Sequence, residues 1–169
     1  MELTTVDIKK AVIRSQHCQR NFDLDQSIPE ADIDTLVHAA TNCPSKQNVA
    51  FYKLHVITDR SLIEQVHALA TGTHTYDKDN NQIESTNSQV LANVLFVFEP
   101  NEIEDLTDKS RARWEQKDAA DREVFKRDVS TAIGIAGGYI NLTASILGYS
   151  TGCCQCGKMD AIRDVLGLK

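Results

Sequence analysis

The sequence between residues 128 and 157 reads DVSTAIGIAGGYINLTASILGYSTGCCQCG. Apolar and small side chains fall on every side of a helix drawn through residues 129–147, so we expect this helix to be buried nearly all round. Gly134, Gly137 and Gly138 lower helix propensity, and we expect them where another backbone comes close. The helix ends at Gly148, and a glycine-bracketed turn follows that can direct backbone N–H groups at a ligand.

A membrane-spanning helix is the alternative interpretation of this stretch, because its length is about that of a bilayer span. Hydroxyl and amide side chains dilute its apolar character, and the flanking charges do not support insertion; these side chains are Ser130, Thr131, Asn141, Thr143 and Ser145. We therefore interpret the stretch as a core helix and predict no membrane partner.

Length and composition predict one soluble domain over residues 1–169. The net charge of −6 argues against a nucleic-acid surface, and no apolar signal segment follows Met1. There are five cysteines, an odd number, and three of them lie between residues 153 and 156. This arrangement does not look like a disulfide framework, so we expect a reducing, cytoplasmic location.

Two helices are predicted before the first strand. Thr4 and Asp7 form a capping box for a helix that ends near Ser15. Ser27 is placed to cap the second helix, with Pro29 in its first turn. The remaining elements follow from periodicity and charge: a strand at 51–58, a helix capped by Asp59, a loop or lid at 71–88, a buried strand at 90–98, a charged helix at 102–127 and a last helix from Lys158. We interpret the charged segment as a solvated helix, and the alternative is a helical insertion that lies over an active-site mouth.

The usual signatures of nucleotide and metal sites are absent from the sequence. There is no G-x-G-x-x-G after a strand, no P-loop lysine and no H-E-x-x-H. Cys153, Cys154 and Cys156 are good zinc ligands by chemistry, but a structural zinc site takes four ligands, and no partner pair is evident. We therefore predict no metal site.

Three polar segments each lie at the end of a predicted helix, where binding loops are commonly built. They read QHCQRNF at 16–22, PSKQN at 44–48 and TGCCQCG at 151–157. In this order, and with Ile28-Pro29-Glu30 and Leu147-Gly148 between them, they resemble the FMN-dependent nitroreductase family. The resemblance runs from about Ile8 to Lys169.

The resemblance implies roles for the first two segments. With Phe22 fixing the register, Arg20 matches the second basic residue of a segment that grips the FMN phosphate and ribityl chain. Cys18 stands at the family's serine and Gln16 at its first arginine, with His17 between them. In the family the second segment lies against the isoalloxazine ring, typically that of the partner subunit; here it comprises Pro44, Ser45, Lys46, Gln47 and Asn48.

The third segment is expected to address the flavin through its backbone. In the family, N–H groups after the long helix meet flavin N5 and O4, and here these lie near Gln155, Cys156 and Gly157. Family members usually continue with another strand and a basic arm, so we expect a short member that lacks both.

The implied fold is α+β, a mainly antiparallel central sheet wrapped by helices, with a long buried core helix. The implied activity is reduction of a nitroaromatic, quinone or similar small acceptor by FMN, which NADH or NADPH reduces, in ping-pong fashion. No side chain is assigned as a catalytic acid, base or nucleophile, and the protein is expected to be a homodimer. The alternatives are a flavin-binding or cysteine-based redox sensor without turnover, and a same-fold enzyme that dehalogenates or fragments the flavin.

Overall fold

The structure is a computed structural model that describes residues 4–71, 73–155 and 157–168, without the side chains of residues 73, 74 and 119. The elements, in chain order, are α1 Thr5–Ser15, α2 Glu30–Thr41, a 3-10 turn Lys46–Asn48, β1 Tyr52–Ile57, α3 Arg60–Leu69, β2 Thr73–Tyr76, β3 Gln82–Ser85, β4 Leu95–Pro100, a 3-10 turn Ile103–Asp105, α4 Asp108–Glu115, α5 Ala119–Leu147 and α6 Met159–Leu166.

Helix α5 is the centre of the hydrophobic core. Its buried side chains recur every three or four residues and so form one stripe along the helix: Phe125, Val129, Ala132, Ala136, Ile140 and Ala144. The stripe meets Leu36 and Ala40 of α2 and the aromatic rings of Phe51 and Tyr52. Small alanines on the stripe allow α2 to lie close, so the predicted core helix is confirmed.

The prediction that this helix is buried nearly all round is wrong. Tyr139, Ile146 and Leu147 are 38–44% exposed. A β-carbon built on Gly134, Gly137 or Gly138 would meet nothing within 4 Å beyond the helix's own backbone, so no other described backbone lies close to these glycines, contrary to expectation. Residues Ala120–Leu147 are long and apolar enough to cross a membrane, although the stripe above belongs to the core of the fold. One side of α5 is therefore core and the other is open.

The strands form two small antiparallel sheets. β1 pairs with β4 in a register that sets Leu54 against Phe98 and Val56 against Phe96. β2 pairs with β3 in a separate hairpin within the stretch expected to be a loop or lid, so that expectation is corrected. The predicted fold class, α+β with antiparallel pairing, helical wrapping and a long core helix, is confirmed.

Side-chain caps are present at three of the six α-helix starts, those of α1, α3 and α5. Thr4 and Asp7 form the predicted capping box, and Asp59 accepts a hydrogen bond from Leu62 N at 2.8 Å. The predicted Ser27 cap is wrong, because α2 begins at Glu30 with Pro29 at the cap position and no side-chain cap bond.

Two further boundaries differ from prediction. β4 begins at Leu95 rather than at residue 90, because residues 88–93 bend and turn before the strand. The charged segment 102–127 is a 3-10 turn, the short helix α4 and the first part of α5, rather than one helix.

Candidate active site

The first predicted segment lies where α1 ends. Gln16 closes the helix, and His17 N donates to Arg14 O at 3.1 Å. Gln16, His17, Cys18 and Arg20 are all exposed. The Arg20 guanidinium makes no ion pair or hydrogen bond with any residue that the structure describes, so its charge is available to an anion.

The third segment meets the first directly. After α5 ends at Gly148, the chain turns back, and Gln19 N donates to Thr151 O at 2.8 Å. A β-carbon on Gly152 would lie 3.1 Å from both Gln19 O and Gln89 Cβ, so a side chain here would require these neighbours to shift by a few tenths of an ångström. The bond between Gln19 and Thr151 joins the segments that follow α1 and α5.

The end of the third segment is held against α3. Gly157 has a φ of +130°, and a β-carbon there would lie 2.9 Å from Leu69 O. Lys158 N donates to that same carbonyl at 2.9 Å. Of the predicted N–H donors, Gln155 is exposed and Gly157 half-buried, while Cys156 lies outside the described residues.

Three of the cysteines are free thiols: Cys18 and Cys153, which are exposed, and Cys43, which is half-buried. Cys154 is disulfide-bonded, so the expectation of wholly reduced cysteines does not hold for it. Its sulfur also accepts a hydrogen bond from Asn87 Nδ2 at 3.0 Å. Among the described residues, no cluster of three or more His, Cys, Asp or Glu side chains could hold a metal ion.

The second segment forms a tight loop that ends in a 3-10 turn. Gln47 and Asn48 have φ values of 59° and 55°, a left-handed conformation that is uncommon for residues with a side chain. Asn48 N donates to Ser45 O at 3.1 Å and Val49 N to Lys46 O at 3.2 Å. These bonds fix the Pro44–Asn48 stretch, which we call the Pro44 loop.

Side chains from α4 and α5 hold the Pro44 loop in place. Lys46 Nζ forms an ion pair with Asp128 and lies 5.7 Å from the centre of the Trp114 ring. Arg113 Nη1 donates to Gln47 Oε1 at 3.1 Å. The ammonium of Lys46, predicted to bind the cofactor, therefore already has an acidic partner, and Trp114 and Arg113 are neighbours that the sequence did not single out.

A cavity of about 290 Å³ opens beside the Pro44 loop. Ser45 and Asn48 of the loop line it, together with Asn42, Cys43 and Tyr52. The Tyr52 hydroxyl donates to Ala40 O and lies 3.6 Å from Cys43 Sγ. Burial, and then the contact with Cys43, raise the pKa of Tyr52. This hydroxyl therefore stays protonated at neutral pH and serves as a fixed structural donor.

Among the described residues, the first and third segments meet each other, and the Pro44 loop has other neighbours. Residues 18–20 and 151–152 are adjacent, whereas the Pro44 loop contacts α4 and α5. The wider site also depends on Tyr149, whose hydroxyl donates to Asp32 Oδ2 and ties the end of α5 to α2. That hydrogen bond is the main reason the pKa of Tyr149 is raised.

A long core helix, two antiparallel strand pairs and two loops joined by the Gln19–Thr151 bond make up the fold and the candidate site. Residues 13–169 match the model of the nitroreductase family. The chain therefore belongs to the nitroreductase family. No curated protein sequence matches it.

Several solved structures share this fold. A protein from Exiguobacterium sibiricum, assigned as a nitroreductase and solved with FMN, has a TM-score of 0.70 at 18% identity; the match covers 100% of this chain and 84% of that one. A protein from Staphylococcus epidermidis, assigned as an NAD(P)H:FMN oxidoreductase, has a TM-score of 0.69 at 18% identity, with coverage of 100% and 83%. An enone reductase of gut-bacterial fatty acid saturation has a TM-score of 0.69 at 16% identity, with coverage of 99% and 83%.

Proposed function

We propose that this protein is an FMN-dependent oxidoreductase that takes electrons from NADH or NADPH and passes them to a nitroaromatic, a quinone or a similar small acceptor. The two half-reactions use the same site in turn, which gives ping-pong kinetics. The observation that carries the proposal is the junction of Gln19 with Thr151 in a chain of this family. It joins the loop predicted for the phosphate to the loop predicted for the ring.

The residues at this junction suit FMN. Arg20 offers an exposed, uncommitted guanidinium, which can contact a phosphate through two parallel hydrogen bonds. His17 and Gln16 add polar side chains beside it. A side chain at Gly152 would crowd Gln19 and Gln89, which supports a surface formed by backbone at this point. When bound, FMN supplies the redox chemistry, and the chain supplies binding and orientation.

The working unit in this proposal is a homodimer. In one chain Lys46 of the Pro44 loop pairs with Asp128, about 30 Å along α5 from Gly148, after which the 151–152 segment follows. A second copy would bring the loop to the flavin. Helix α1 exposes Val6, Ile8, Val12 and Ile13, each at least 46% accessible. α1 packs against α5, so these side chains and the open side of α5 suit burial by a second chain.

The decisive experiment is the visible spectrum of the purified protein before and after addition of FMN. Bound FMN should show a visible absorption band that is shifted and more structured than the band of free FMN. Addition of NADH or NADPH in the absence of oxygen should reduce the flavin and remove this band. A quinone or a nitroaromatic added afterwards should restore the band. Failure to bind FMN at micromolar concentrations would overturn the proposal. Binding without bleaching by either nicotinamide would overturn the assigned electron donor.

A thiol-based redox sensor is the second candidate, and the free thiols of Cys18 and Cys153 favour it. Both are exposed and lie in the two segments that meet at the Gln19–Thr151 bond. Thiol titration with and without FMN separates the two functions. An enzyme should show slower labelling of Cys18 when FMN is bound. A sensor should show rapid labelling, unaffected by FMN, and no turnover.

A further inference from the structure

A second cavity, of about 240 Å³, is lined by the segment before α2 and by residues that follow β1. Thr58 and Arg60, which follow β1 directly, form part of its wall. The cavity beside the Pro44 loop lies at the other end of this strand, where Ala50 and Tyr52 line it. A strand of six residues is about 20 Å long, so the two cavities are distinct sites.

The guanidinium of Arg60, which lines this cavity, has a hydrogen-bond donor without an acceptor. Arg60 Nη2 donates to Ala92 O, but Nη1 is buried and has no hydrogen-bond partner among the described residues. No carboxylate of the described part of the chain pairs with this guanidinium. A buried charged donor without an acceptor is unfavourable, so an oxygen acceptor entering the cavity would be stabilised.

Other uncommitted polar groups line the same space. The hydroxyls of Ser27 and Thr58 and the side-chain amide of Gln26 make no hydrogen bond with any described residue. None of the described side chains that line the cavity is acidic, and Arg60 is the charged side chain among them. Ile28 and Ile33 contribute an apolar surface to the lining.

The loop that carries these donors is fixed before any ligand arrives. Asn93 Nδ2 donates to Asp23 O at 2.8 Å and to Gln26 O at 2.7 Å. Both bonds hold the segment before α2 against the turn that precedes β4. A loop held in this way loses little entropy when its donors bind a ligand, which favours affinity.

We propose that this cavity binds a small carboxylate with a short aliphatic chain. The carboxylate oxygens accept hydrogen bonds from Arg60 and from the hydroxyls of Ser27 and Thr58, and the aliphatic chain contacts Ile33. The volume lies below the range of drug-sized pockets, so the ligand has only a few heavy atoms.

Titration with sodium butyrate at constant ionic strength, followed by amide chemical shifts, tests this site. Butyrate should shift residues 24–28 and 58–60, and chloride should not. Arg60→Gln should weaken butyrate binding about tenfold or more, the effect of losing a charge-assisted hydrogen bond. Arg122→Gln is the matched control, because Arg122 is exposed and lies outside the cavity, and it should bind butyrate as the unmodified protein does.

Thr58→Val keeps the shape of the wall and should weaken butyrate binding about 2- to 10-fold, as expected for one neutral hydrogen bond. This variant decides the question if Arg60→Gln does not fold. Unchanged butyrate affinity in Thr58→Val, or the absence of any butyrate-dependent shift in the unmodified protein, would overturn the proposal. Inorganic phosphate that binds as tightly as butyrate would overturn the assignment to a carboxylate.

Discussion

Arg20 is the residue on which the proposed phosphate contact depends, because Gln16 is neutral where the family resemblance expects an arginine. Arg20→Ala should weaken FMN binding by about 1.5–3 kcal/mol, the range for hydrogen bonds to charged groups. Riboflavin has no phosphate, so its affinity should change little. Fluorescence titration of both ligands measures the difference, and equal losses for the two would place Arg20 elsewhere.

The register drawn from Phe22 can be tested by restoring the family's residues. Gln16→Arg with Cys18→Ser should tighten FMN binding, because a guanidinium and a hydroxyl are better phosphate donors than an amide and a thiol. The gain should shrink as salt rises, since exposed charge pairs are screened. The test is to measure the FMN affinity of both single variants and of the double variant at low and high salt. No gain at low salt would show that the register is wrong.

Gly157 is a position where both backbone conformation and space require glycine. Gly157→Ala should lower the free energy of unfolding by about 1–3 kcal/mol through backbone strain, and crowding against Leu69 O should add to it. Gly167→Ala is the matched control: its φ is +65°, but a β-carbon there would meet nothing within 4 Å. Urea unfolding should show the larger loss for Gly157→Ala; equal losses would contradict the crowding.

Among the elements, the β2–β3 hairpin stands apart, because no third strand pairs with it in the described structure. Its turn depends on Asp77, whose carboxylate accepts hydrogen bonds from Asp79 N and Asn81 N at 2.9 and 2.8 Å. The side-chain and backbone bonds from Asn81 hold the pKa of Asp77 below its ordinary value of 3.8. The ionised form therefore stabilises the folded turn.

The sign of the pH dependence follows from this lowered pKa. The contribution of Asp77 is fully present above its unfolded pKa and is lost as pH falls through the lower folded pKa. Chemical shifts of the hairpin amides should therefore move toward unfolded values below pH 3.8. Asp77→Ala should produce the same loosening at neutral pH, with the β1–β4 pair as an internal control. A hairpin unchanged in this variant would contradict the role of the turn.

At the scale of elements, helix starts were the most predictable features, because a cap is a local arrangement. Thr4 with Asp7 and Asp59 with Leu62 were found from spacing alone. The hairpin was missed because its strands are four residues each and mostly polar, so they resemble a loop. The contact between Lys46 and the Trp114 ring joins distant parts of the chain, so no local sequence pattern predicts it.

For the whole molecule, the open side of α5 predicts association. Tyr139→Glu should convert a dimer to a monomer, because a charge would be placed in an apolar interface. In a monomer the same change is a surface substitution and should alter stability by less than about 0.5 kcal/mol. Ile83→Glu is the control, since Ile83 is also 44% exposed but lies on the hairpin. Sedimentation velocity at micromolar concentration measures the state, and a monomeric parent protein would contradict the proposal.

The exposed glycines of α5, Gly134 and Gly138, have a consequence for a two-fold symmetric dimer. A two-fold dimer uses the same surface of both copies, so a side chain at Gly138 would enter the contact twice. If the axis passes near Gly134 and Gly138, each would face its own counterpart, and the helices could cross at backbone distance. In such a dimer, a methyl group added at Gly134 or Gly138 would push the two helices apart. In one chain the same methyl group would meet nothing within 4 Å beyond its own helix backbone.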